Sequence, residues 1–75
     1  MKIANIRLIL SNPSDLSRAY KFFMSNKEIR GKWHASGRNV LEKEVPRSKL
    51  QDVRLIISNI LKSHNIKYVE EGDNR

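Results

Sequence analysis

The chain contains no cysteine, and that absence limits what its 75 residues are able to fold into. A chain of this length accommodates one domain, and a domain so small buries only a modest share of its surface. Disulfide staples and thiolate zinc sites are both excluded. Packing of one apolar core must hold the fold. Cysteine-free small domains fit a reducing, intracellular home, so a cytoplasmic protein is expected.

The apolar residues are spaced to build such a core. Residues 2–11 carry Ile3, Ile6, Leu8, Ile9 and Leu10 on both alternating faces, which suits an inner strand. Asn5 and Arg7 interrupt this run, and it is too short to span a membrane. Asn12, Pro13 and Asp15 then mark a helix start, with Asp15 where a capping-box carboxylate would lie. Leu16, Ala19, Tyr20 and Phe23 follow as one stripe, with Ser14, Arg18, Lys21 and Ser25 on the opposite side. Gly31 is expected to close this region.

Residues 32–45 predict a hairpin turning at Ser36-Gly37-Arg38-Asn39. A second helix starts after Pro46, where Ser48 and Gln51 have capping-box spacing. Its buried stripe is Leu50, Val53, Ile57, Ile60 and Leu61, flanked by Ile56. Asn65 is expected as a left-handed cap, with a short strand over 66–69. Residues 1–69 are therefore one α+β domain, and the acidic residues 70–75 a flexible, solvated tail.

The order is β-α-β-β-α-β, the split βαβ arrangement of ferredoxin-like domains: a two-layer sandwich with both helices on one face of an antiparallel sheet. The first and third strands would be central. Glu42, Lys43 and Glu44 make the third less apolar than a central strand should be, and a three-stranded sandwich is the alternative.

Charge is the main functional clue. Fifteen Lys and Arg face eight Asp and Glu, a net +7. Over residues 1–69 the balance is 14 basic to 5 acidic side chains. A field of that sign on so small a body draws phosphate backbones, although charge also serves solubility. The expected function is a small basic protein that binds RNA or DNA, mainly through phosphate contact, without catalysis. The candidate contacts are Arg18, Lys21, Lys27, Arg30, Lys32, Trp33, His34, Arg38, Arg47 and Lys49. Trp33 is weighed more heavily as a core anchor than as a stacking platform. RNA-recognition motifs stack bases on aromatics of their central strands, and neither residues 3–10 nor 40–45 contain one.

Two other functions compete. A protein-interaction module, a small inhibitor or adaptor, would dock on an acidic surface of a larger enzyme or ribonucleoprotein. Leu55, which points away from the buried stripe of its helix, would contact that partner or a second copy in a homodimer. A small ribonuclease toxin would use His34 as acid or base, but no second acid–base partner is identifiable in the sequence. His64, near the end of the second helix, has an ordinary role at the helix dipole. No metal-ligand spacing, phosphate-cradling glycine loop, cofactor motif or small-molecule site is present in the sequence, and no membrane partner is implied.

Overall fold

The computed structural model describes residues 2–72. The first strand, β1 (Ile3–Leu10), leads through a 3-10 turn at Pro13–Asp15 into helix α1 (Leu16–Ser25). A hairpin of β2 (His34–Gly37) and β3 (Val40–Pro46) follows. A second 3-10 turn at Arg47–Lys49 opens α2 (Leu50–Ser63), and β4 (Tyr68–Gly72) ends the described chain. The protein is thus an α+β domain with two helices and a four-stranded antiparallel sheet. Strand order is β2-β3-β1-β4, which places β1 and β3 in the centre. Among the described residues no helix is long and apolar enough to cross a membrane.

Alternation along the central strands divides the sheet into two faces. The register sets Ala4 opposite Val45, Ile6 opposite Lys43 and Leu8 opposite Leu41. These residues, with Leu10, are buried beneath Ala19 and Phe23 of α1 and Val53, Ile57 and Leu61 of α2. The other face carries Asn5, Arg7, Glu42 and Glu44, none of them buried. The charged run 42–44 therefore fits a central strand. Its two acids point away from the helices, and only Lys43 points inward.

Lys43 resolves its position by reaching the edge of the core. It is 8% exposed, and its Nζ donates to the carbonyl of Gly31 at 2.5 Å while lying 5.8 Å from the Trp33 ring. Burial pushes its pKa below the ordinary lysine value, and the nearby Lys32 charge adds to the effect.

Several termini differ from expectation. The Asn12 side chain accepts from the Ser14 amide at 3.1 Å, as a cap should. Asp15 makes no cap and pairs with Arg18 instead. Ser48 forms no capping box, because the 3-10 turn occupies the segment where its helix would begin. Helix α1 ends at Ser25, well before Gly31. At the end of α2, Asn65 has φ 57°, with Ile66 N–H donating to Leu61 O at 2.9 Å and Asn65 N–H to Lys62 O at 3.2 Å. That is a Schellman closure, as the asparagine implied.

The largest departure is at the C-terminal end. The last strand starts at Tyr68, not at Ile66, and continues through Glu70 and Glu71, which were expected in a tail. Ile66 is instead a core residue that closes the helix end. Glu70 bonds Arg54 of α2, and Glu71 pairs with Arg7 of β1 at 3.6 Å. Opposite charges on neighbouring elements let acidic residues enter a strand. Residues 73–75 of the expected tail lie outside the described residues.

Candidate nucleic-acid interface

Helices and strands alternate in direction, so the connections gather at two ends of the sandwich. Ile3 pairs with Pro46, which sets the chain start beside the exit of β3. The Arg47 amide bonds the Lys2 carbonyl at 3.0 Å, and Lys2, Arg47, Ser48 and Lys49 border one shallow cleft. A neighbouring cleft is lined by Lys27, Glu28, Lys49 and Asp52, joining the loop after α1 to the start of α2. One end of the molecule thus collects Lys2, Lys27, Arg47 and Lys49, against the acids Glu28 and Asp52, and the loop continuing from Lys27 carries the exposed Arg30 and Lys32. We call this the basic end.

The loop that supplies half of these cations is held by its apolar residues. Ile29 is 1% exposed and Trp33 5%. The Trp33 indole N–H donates to the Ile29 carbonyl at 2.8 Å, and its ring stacks on Phe23 with centroids 4.5 Å apart. Asn26 begins the loop by accepting the Glu28 amide on its side-chain oxygen at 2.8 Å. Lys27 and Glu28 before Ile29, and Arg30 and Lys32 between Ile29 and Trp33, are exposed. Two consecutive residues take left-handed backbone, Gly31 at φ 93° and Lys32 at φ 61°. The glycine adopts this freely, but the lysine does so at a cost of about 1–2 kcal/mol. A lysine kept where glycine or asparagine would be less strained is a pointer to use.

Position, more than pairing, separates these cations from Lys21, Arg38, Lys62 and Lys67, which also form no ion pair among the described residues. Among the described residues, Lys2, Lys27, Arg30, Lys32 and Lys49 form no ion pair. Arg18 is committed elsewhere, bonding Asp15 at 2.8 Å and the His64 carbonyl at 3.2 Å. Arg38 sits in the hairpin turn, beside Asn39 and Leu10, at the opposite end of the sheet from Pro46. The expected set is therefore divided: Lys27, Arg47 and Lys49 line neighbouring clefts, Arg30 and Lys32 lie on the loop continuing from Lys27, and Arg18 and Arg38 stand apart.

Trp33 belongs to the core, where Phe23 and Lys43 occupy its surroundings, so it offers no free face for stacking. Burial of its ring, the heavier of the two sequence readings, is what the packing of α1 requires. His34 is exposed and lies opposite Glu42 on the face away from the helices. Glu42 is held below the ordinary carboxylate range, first by a hydrogen bond from Ser36, then by Asn5, with Arg7 and His34 adding to it. Leu55 is 62% exposed on α2. No group of His, Asp and Glu suited to a metal occurs among the described residues.

Two residues were missed in the sequence, one at the basic end and one at a separate cleft. Lys2 precedes the first strand and becomes relevant once β1 pairs with β3. Tyr20 was assigned to the buried stripe of α1, yet it is 40% exposed. Phe22, which packs against the core beside the stripe, stacks its ring on His64 with centroids 3.7 Å apart. A cleft of about 430 Å³ lies beside Tyr20, between α1 and β2, with Lys21 in its wall.

No protein-family model, curated protein or solved structure matches this chain.

Proposed function

We propose that the protein is a nucleic-acid-binding module that grips phosphate backbones with its basic end and performs no chemistry of its own. The carrying observation is that Lys2, Lys27 and Lys49, which have no ion-pair partner among the described residues, line two clefts that share Lys49, while the loop continuing from Lys27 adds the exposed Arg30 and Lys32. Unpaired cations at fixed spacing release counterions from a polyanion on binding. The open sheet face is unsuited to the same task, since Glu42, Glu44 and Glu71 repel phosphate there. Strand order and helix crossovers support reading the domain as ferredoxin-like, with the binding surface moved from the sheet to the loops. A reducing, cytoplasmic setting suits its cysteine-free core.

Titration of labelled RNA and DNA, followed by fluorescence anisotropy over a range of salt, tests this reading. Log affinity should fall linearly with log salt at a slope of about −3 to −5, one counterion per engaged cation. Absence of binding to every probe at low salt overturns it. The basic end would then serve an acidic protein surface, the reading to which Leu55 also belongs. A lone exposed leucine is ordinary on a monomer and does not favour that reading.

A further inference from the structure

The two layers do not close over β2. Ala35 lies opposite Leu41 on the helix-facing side, and its methyl group is too small to reach α1. The space left over is the 430 Å³ cleft, with Leu16 and Tyr20 on the helix side and Ala35 and Leu41 beneath. Its walls are apolar, except for Ser17, Lys21 and the chain at His34. Tyr20 is half-exposed at the rim, and Trp33 borders the cleft directly after the strained Lys32.

An apolar slot with an exposed aromatic rim and cations beside it suits a flat ring carried on a charged backbone. We propose that this cleft receives an unpaired nucleobase of a single-stranded nucleic acid, stacked on Tyr20, with Lys21 and Lys32 on the flanking phosphates. The inference rests on the phosphate-binding reading above and adds its substrate class. A duplex keeps its bases within the stack and has none to offer the cleft. Ser17 and the free edge of β2 supply hydrogen-bonding groups for the rim of the base. A peptide adding to the edge strand is the less favoured occupant. β2 has four residues, a register shift between Ala35 and Gly37, and Lys32 and Arg38 at its two ends. Short, bulged and charged edges discourage strand addition.

Trp33 is the only tryptophan, so its emission reports on the cleft. The test compares a short oligothymidylate, an abasic phosphodiester of equal length and a duplex, by anisotropy and by Trp33 fluorescence. The single strand with bases should bind roughly ten-fold tighter than the abasic chain and change the Trp33 emission. Tyr20→Ala, which removes the platform, and Ala35→Leu, which fills the slot, should each reduce its affinity to the abasic level. Both positions are exposed, and an unchanged unfolding midpoint establishes that the variants remain folded. Equal affinity for the abasic chain and the oligothymidylate overturns the base site and leaves the phosphate reading standing. Failure of every nucleic acid to bind overturns both. If an acidic extended peptide perturbs Trp33 while oligothymidylate does not, the cleft belongs to a strand-adding partner and the proposal falls.

Discussion

The basic end and the open face of the sheet both carry charge but arrange it in opposite ways. On the open face, Glu71, Arg7, Glu42 and His34 form one row across all four strands, and both acids of the row have partners on that face. Glu71 pairs with Arg7, while Glu42 takes hydrogen bonds from Asn5 and Ser36. At the basic end the cations stand on loops, and most of them have no partner among the described residues. The first arrangement satisfies itself within the fold. The second leaves charge for something outside it, and that contrast is more informative than the net +7.

The sharpest way to break the contrast is to remove what holds the basic loop. Trp33→Ala should cost about 3–5 kcal/mol in urea unfolding, because a buried ring stacked on Phe23 is lost. Leu55→Ala, on the exposed side of α2, should change stability by less than about 0.5 kcal/mol. Comparable losses for the two would mean that the loop is not anchored by its tryptophan.

Charge replacement separates the two regions by binding. Joint replacement of Lys27, Arg30, Lys32 and Lys49 by Gln should weaken binding by about 100-fold at low salt and flatten the salt slope by about four. Arg7→Gln on the open face should change affinity by no more than about two-fold. An equal loss from Arg7→Gln would erase the distinction. Lys32→Gly provides a finer test, because it relieves left-handed backbone while removing one cation. It should stabilise the fold by up to about 1 kcal/mol and still lower affinity.

The smallest effects are those of pH. Lys43 has its native pKa lowered from 10.5, so the folded protein releases that proton before the unfolded chain does. Stability relative to Lys43→Met should therefore rise with pH, from the lowered value up to 10.5. Glu42 is lowered as well, so its slope has the same sign, but here the native environment favours the charged form rather than penalising it. Its contribution is complete above 4.5 and disappears as pH falls through its lowered native pKa. Unfolding midpoints of Glu42→Gln measured down the acid limb should converge with those of the parent. Parallel curves for either pair would remove the assigned cause.

Much of the fold was legible because periodicity is a local property. The stripe Leu50, Val53, Ile57, Leu61 and the cap at Asn65 follow from spacing and backbone preference alone. The two inner strands were legible for the same reason, although β3 needed the register to explain its charges. What failed was what depends on neighbours. Glu70 and Glu71 looked like tail because nothing nearby in sequence reveals Arg54 and Arg7 as their partners. Tyr20 looked buried because its helix angle fits the stripe, but it faces the open cleft over β2, where Ala35 leaves it uncovered.

The sequence determined the number and type of elements, the central place of β1, the absence of covalent staples and the excess of positive charge. These are sums and periods along the chain. Which cations lie near one another was settled by folding. Antiparallel pairing of Ile3 with Pro46 carries Lys2 to Arg47 and Lys49, while the hairpin turn takes Arg38 to the other end. Separation along a chain does not specify distance across a sandwich, so the grouping of charges arises only when the layers pack.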